Sequence, residues 1–524
     1  MRHHLRLAAL LALAGASAAA PAAGIVTYCA DAGPPNFDAA QTRTIYTEAA
    51  VGLPLYDRLI GIKPGSTELV PGLAQRWEWS ADGRVLTLHL RPGVKFHTTP
   101  WFTPTREMDA DDVVWSLQRE LDKSHPGHAI SPGGYAYWDG AALSTRIRTI
   151  ARVDPMTVRI ELAKPDAAFL AELSVSQVGT VYSAEYAARL QAQGRIAQMA
   201  TQPVGTGPFV LRSYRKDAVI RYAANPSYWG GAPKVDGLVF AITPDPAVRA
   251  QRVRAGECAF AHIPWNLAGT VSSDPRLEVV QARALGLSYV LPNAARPGLG
   301  DRRLREALSL AIDRAALIKA IYGGHAEPAG SYLPPAMWSH DAGLSIPHDP
   351  DKARALARAS GYDGHPLTML AFANDGVVRH AVEMLQADWA RAGITVVPRF
   401  LEANEFFVRV REGRQDLAFL AWYSDDGDPD NFLSPQFACN GAKAPGLEGH
   451  WCSPAFDQLL AQGRATADPK ARAAIYVRAQ QLLADEAAVA PVTYASSVWV
   501  GAKRLAGVVV TPFAAPDFRA ATLD

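Results

Sequence analysis

Residues 417–432 read Leu-Ala-Phe-Leu-Ala-Trp-Tyr-Ser-Asp-Asp-Gly-Asp-Pro-Asp-Asn-Phe. The run 417–421 is apolar, of strand length and bounded by turn residues, which predicts a buried strand. Past Tyr423, four aspartates (Asp425, Asp426, Asp428 and Asp430) fall within six residues, interleaved with Gly427 and Pro429. Three readings are open. The cluster can be a solvated turn in which Asp and Gly serve local hydrogen bonds. It can be a calcium loop, although the EF-hand spacing and its glutamate at position twelve are missing. Or it can carry a cation-binding carboxylate at the end of a sheet strand, facing a cleft.

Outward from this segment, helices and strands alternate. Residues 377–393 predict a long helix and 394–397 the strand after it. Asp301 caps a helix with Leu304, Leu308, Ala311 and Ile312 on one face, extended by Leu317 and Ile321 to Gly323-Gly324. Asp349-Pro350-Asp351 opens another, and further helices are expected at about 454–463 and 469–485. Strands at 492–500 and 508–510 finish the chain. Nearer the start, 25–29 reads as a strand, 32–38 as a loop, and 44–60 as a helix ending at Gly61. Residues 77–96 alternate as a hairpin about Ala81-Asp82-Gly83, and the acids 109–112 open a helix on Val113, Val114 and Leu117. Strands are expected at 158–162, 209–214, 219–222 and 238–242, with a short helix through Phe169 and Leu173. A second unit starts near residue 285. Mixed elements throughout indicate α/β or α+β lobes.

Composition narrows the class. The 524 residues are 49% hydrophobic, enough for three to five domain-sized units or fewer large lobes. Basic and acidic residues number 52 and 51, with no basic stripe, so nucleic acid is not an expected partner. Arg2 and Arg6 precede an apolar run at 7–16 and a small-residue stretch at 17–23. That is the pattern of a secretory signal peptide at 1–23, too short to anchor as a membrane span. Its removal takes two arginines and no acid, leaving a formal charge of −1. Cys29 follows Val-Thr-Tyr, a poor lipid-attachment signal, so an exported, unanchored protein is expected.

The four cysteines, Cys29, Cys258, Cys439 and Cys452, suit two disulfides in an exported chain and allow three connectivities. Cys439 and Cys452 lie 13 apart across a Gly- and Pro-rich segment, which favours a local staple, with Cys29–Cys258 by elimination. A zinc site would want paired ligand spacing, and no CxxC is present. No metal or cofactor is expected. GxSxG is absent after residue 23, and Gly205-Thr206-Gly207 lacks the rest of a phosphate loop, so it reads as a turn. His89 and His97 read as structural. No catalytic residue is signalled. A binding protein is weighed against a periplasmic hydrolase, which would need an acid/base pair in the cleft.

Several segments together carry a resemblance. They are Pro71-Gly72-Leu73-Ala74, the run 77–90 (WEWSADGRVLTLHL), Arg91-Pro92-Gly93-Val94-Lys95-Phe96-His97, and Asp111-Asp112-Val113-Val114. Further on are 203–209 (PVGTGPF), Tyr228-Trp229-Gly230, 304–308 (LREAL) and 428–432 (DPDNF). Over the whole mature chain, the sequence resembles the periplasmic solute-binding proteins of peptide ABC importers, the dipeptide- and oligopeptide-binding family. Residues 101–106 are similar to both the dipeptide-binding and the Sap-type branches, so capture of antimicrobial peptides or haem is the alternative. The resemblance implies a class II periplasmic binding protein fold of the enlarged peptide-binding type, α/β, with a ligand cleft between two lobes. Lobe I would be 24–284 with 496–524 returning to it, and lobe II 285–495. It implies the same two disulfides, a short peptide ligand, permease subunits as partners, a monomer and a periplasmic location. It places Asp425 on the ligand's amino group and Ala421, Trp422 and Tyr423 along its backbone. In the dipeptide branch an arginine 53 residues before that aspartate holds the ligand's carboxylate; here that position is Phe372. Arg379, seven residues on, reads as a solvated helix residue. Ligands other than free dipeptides are therefore expected.

Overall fold

The computed structural model describes residues 24–41, 44–373, 376–439 and 450–524. The expected signal peptide, 1–23, lies outside them. The organising element is an eleven-stranded mixed sheet. Its path runs Val396–Leu401, Leu367–Phe372, Leu417–Tyr423, Leu277–Pro292, Ala490–Ala502, Phe260–Ile263, Ile25–Ala30, Gly237–Ile242, Val219–Ala224, Phe209–Arg215, and Glu327–Pro328 pairs off this path with Ala490–Ala502. A separate four-stranded antiparallel sheet contains the expected hairpin, Ala74–Trp79 with Val85–Leu90, beside Thr157–Leu162 and Ile147–Asp154.

Two strands are much longer than the rest. Leu277–Pro292 and Ala490–Ala502 pair antiparallel in two stretches, 277–283 with 496–502 and 287–290 with 490–494, with register shifts after Arg283 and after Ser288. The first stretch borders Phe260–Ile263, and the second borders Leu417–Tyr423. Apolar side chains gather accordingly. One large core draws on residues 26–260 and returns to Trp499, Leu505, Ala515, Phe518 and Ala521. Two more lie between Leu285 and Tyr494. The result is a two-lobed α/β fold joined by a pair of crossing strands.

Register fixes where the strand ends point. Ile25–Ala30 runs parallel to Gly237–Ile242 and Phe260–Ile263, and Ile263 lies opposite Val498. From the other side, Leu417–Tyr423 runs parallel to Leu367–Phe372, and Tyr423 lies opposite Gly286. Carboxyl ends from both sides thus converge on the crossing at 283–287 and 494–498. Outside such ends is where ligands sit in open α/β sheets.

Two expected helices come out differently. Over 44–60 the helical part is Ile45–Thr47, a π turn Glu48–Gly52 and Leu53–Leu55; Tyr56 is extended, and Ile60–Ile62 is a strand paired with Leu69–Pro71. Tertiary bonds replace helical ones there. Leu55 O accepts the Gly207 N–H at 3.0 Å, and the Leu59 N–H goes to Gly179 O at 2.8 Å. The helix expected from Asp301 to Gly323 is two, Arg302–Leu310 and Arg314–Tyr322. The Asp313 N–H is taken by the Asp388 carboxylate at 2.8 Å, and Asp313 caps the second helix through the Ala316 N–H. The helices at Ala110–Leu121, Pro350–Ala359, Gly376–Arg391, Pro454–Ala465 and Pro469–Asp485 stand where expected.

Candidate functional site

Along Leu417–Tyr423 burial changes. The first four residues are buried, Ala421 is exposed, Trp422 is half-buried and Tyr423 is 48% exposed. The ladder to Leu367–Phe372 involves Leu417 and Ala418, so 421–423 extend past it toward the crevice. Opposite, a Cβ on Gly286 would lie 2.5 Å from the Tyr423 ring, so only glycine lets that ring lie flat there.

The four aspartates divide sharply. Asp426, Asp428 and Asp430 are buried. Asp426 accepts the Asp428 N–H at 2.8 Å, which shapes the turn. Asp428 caps the helix Pro429–Phe437 through the Asp430 N–H at 2.9 Å and forms a bidentate pair with Arg472, Nη2 to Oδ1 at 2.8 Å. Asp430 accepts Arg464 Nε at 2.9 Å and Nη2 at 2.7 Å, with the Ser434 hydroxyl at 2.7 Å. Burial, and then the charge of Asp428, push the Asp426 carboxyl well above its usual range. Burial would raise Asp430 as well, but the Arg464 charge and hydrogen bonds outweigh it and hold it low. Asp425 is half-buried; its N–H donates to Asn431 Oδ1 at 3.2 Å, and Asn431 Nδ2 donates to Asp425 Oδ2 at 3.4 Å. Gly427 has φ 76°, and a Cβ there would lie 2.9 Å from Thr67, so glycine brings this turn against the segment 60–71.

A polar seam adjoins the turn. Arg146 binds Asp166 and Glu172, each at 2.6 Å, and the Ala167 N–H donates to Arg464 O at 2.7 Å. Burial raises the Glu172 carboxyl to about 7, against the lowering charge of Arg146.

Phe372 closes its strand in an aromatic cluster, its ring 4.2 Å from Phe406 and 5.4 Å from Phe407. Phe372 and Trp422 pack against the same core. Arg379 stands on the helix Gly376–Arg391, as expected. It is exposed on its helix, but its guanidinium lies 4.0 Å over the Phe400 ring, a cation–π contact that fixes it beside the strand Val396–Leu401. The disulfides are Cys29–Cys258 and Cys439–Cys452, with Cα separations of 5.7 and 4.7 Å.

Sequence reading missed the opposite corner. Past the strand Ile25–Ala30 stands Asp31, whose Oδ2 lies 2.9 Å from His262 Nδ1, on the strand Phe260–Ile263, and 3.4 Å from Arg249 Nη2. Asp31 and His262, with Ile45, Tyr46, Ser497 and Trp499, line a cavity of about 40 Å³. The signal was available: Asp31, like Asp425, is the first carboxylate beyond a strand's carboxyl end.

Two lobes joined by crossing strands, with their strand ends gathered on one crevice, are the architecture of a solute-binding protein. Residues 68–444 match the family of bacterial extracellular solute-binding proteins, family 5 (middle), and the chain belongs to that family. It is 41% identical to di/tripeptide-binding protein 4 of Pseudomonas aeruginosa, over 98% of this chain and 97% of that one. It is 35% identical to heme-binding protein A of Haemophilus influenzae, over 95% and 92%. The crystal structure of a dipeptide-binding protein from Pseudoalteromonas in complex with Met-Leu superposes with a TM-score of 0.82 at 32% identity, covering 95% of this chain and all of that one.

Proposed function

We propose that this protein captures short peptides in the crevice and delivers them to the permease of an ABC importer, without chemical turnover. The observation that carries the reading is the division of the acidic turn. Three aspartates are buried in framework contacts, while Asp425, the first past the strand, is half-buried at the crevice. An ammonium taken from water needs an anionic, hydrogen-bonding partner, and Asp425 supplies one at the end of the ligand's path along Ala421, Trp422 and Tyr423. The di/tripeptide- and dipeptide-binding relatives support peptides as the cargo. Lobe I comprises 24–284 and 496–524, lobe II 285–495, and the crossing at 283–287 and 494–498 is the hinge whose closure the ligand favours. The protein acts as a monomer in the periplasm after removal of 1–23. At Phe372 a ring cluster stands where a guanidinium would bind a free carboxylate, so the ligand is not restricted to free dipeptides.

Asp425→Asn tests the reading. Calorimetry should show free peptides weakened about tenfold to a hundredfold in a folded variant, since a hydrogen bond to a charged group contributes roughly 1.5–3 kcal/mol. N-acetylated peptides should bind the wild type poorly and lose little on mutation. Equal binding of acetylated and free peptides would overturn the assignment. C-terminal amidation should cost little; a large loss would reveal a cation serving the carboxylate.

A further inference from the structure

We propose that the strand ends beside Phe372 form a subsite for a large apolar side chain of the peptide, at a ligand residue beyond the first. The inference rests on the peptide-cleft reading and names the class of peptide that the crevice prefers.

Alternation puts the parts on one face of the sheet. Leu401 and Phe372 end neighbouring strands as a register pair, and Trp422 is next to last on the strand beyond. All three pack against one core, whereas Phe400, Ala371 and Phe419 belong to the core on the other face. The helix Ala403–Arg411 adds Phe406 as a buried floor and Phe407 at the side, its ring 5.4 Å from that of Phe372. These surfaces remain open to a ligand: Phe407 is 37% exposed, and Leu401, Phe372 and Trp422 are half-buried. The ladder between Leu367–Phe372 and Leu417–Tyr423 joins Leu370 to Ala418 and goes no further, so a peptide lying along Ala421–Tyr423 runs in line with Phe372. Asp425 stands at the far end of that path. The ligand's first residue is held there, and a later one meets the rings.

Charge selects the side chain. Arg379 is held over Phe400, on the other face. Arg399 lies opposite Leu370, two register pairs back from the strand ends. Glu402, exposed just past Leu401, would repel an acidic side chain. A polar side chain set against the rings loses water and gains no hydrogen-bond partner from them, whereas an apolar one removes both surfaces from water.

The test uses the mature chain and calorimetry with tripeptides carrying leucine, its near-isostere asparagine, or lysine at the second or third position. At one of these positions leucine should bind about tenfold tighter than asparagine or more, with lysine no better than asparagine. Phe372→Ser and Phe407→Ser should each cut that preference to about threefold or less. Equal affinities at both positions, with peptides otherwise bound, would overturn the subsite and leave the peptide reading standing. Failure of every peptide to bind would overturn both. Lysine bound as tightly as leucine would overturn the apolar character of the subsite. A leucine preference that persists in Phe407→Ser would overturn its assignment to these rings. Phe407 is exposed on its helix, so this variant decides the matter even if Phe372→Ser does not fold.

Discussion

The acidic turn at 424–430 and the corner at Asp31 are the same construction made twice. In each a strand ends and the chain bends on an aspartate. They differ in who supplies the counter-charge. Helices Pro454–Ala465 and Pro469–Asp485 bring Arg464 and Arg472 to the turn, and these tie Asp430 and Asp428 into the framework. At the corner one arginine and one histidine share a single carboxylate oxygen, and the other oxygen is left over. Asp428 and Asp430 thus each receive a guanidinium of their own at hydrogen-bond distance, whereas Arg249, from the helix Pro246–Arg254, reaches one oxygen of Asp31 at 3.4 Å.

The largest expected contrast is between the disulfides. Cys29–Cys258 spans 229 residues and Cys439–Cys452 spans 13. In the chain-entropy model, replacing the first pair by serine should destabilise by about 5 kcal/mol and the second by about 3 kcal/mol. Urea denaturation of the two double mutants gives the ranking, and equal losses would show that the unfolded chain is already restrained over the long loop. Next, Arg472→Ala should cost about 3–5 kcal/mol, because it strands the buried Asp428. His262→Ala, which leaves Asp31 its Arg249, should cost about 1 kcal/mol. If the two cost the same, a guanidinium of its own makes no difference to the carboxylate. Third, Asp430→Asn should lower the unfolding midpoint with peptide affinity of the folded protein retained, the mirror image of Asp425→Asn.

The smallest effect concerns pH. Glu172, facing the turn, has its carboxyl raised from 4.5 to about 7 by burial. A raised carboxyl keeps its proton in the folded state over a range where the unfolded chain has lost it, so its contribution to stability falls as pH rises from about 5 to 7. Glu172→Gln should flatten that part of the stability–pH curve. A wild-type curve unchanged by the substitution would place Glu172 outside the titrating set.

What was legible in the sequence was local. Alternation at 77–90 gave the hairpin, Asp109 and Asp349 announced their helices, and the apolar run at 417 gave the strand that ends at Asp425. The separate roles of Asp425 and its three neighbours could be expected only as turn chemistry, because Arg464 and Arg472 lie 34 and 44 residues from their partners. The same limit hid the corner: Asp31 and His262 are 231 residues apart and meet through strand pairing. The apolar spacing at 44–60 misled because the Leu55 carbonyl bonds to Gly207 rather than continuing a helix. Phe372 was found by counting, but the rings of Phe406 and Phe407 around it belong to a helix that no spacing connects to it.

The crossing strands also impose an order on synthesis. Phe260–Ile263 can pair with Ile25–Ala30 early, but its other neighbour, 498–501, is almost the last part of the chain to be made. Until then the first lobe carries an open sheet edge and lacks Trp499 and Phe518 from its core. Both cysteines of the long disulfide precede that edge strand, so the bond can form while the lobe is still incomplete. A chain stopped near residue 495 would contain the strands Leu277–Pro292, Leu367–Phe372 and Leu417–Tyr423 and still leave Phe260–Ile263 without its partner 498–501, with an adhesive edge exposed.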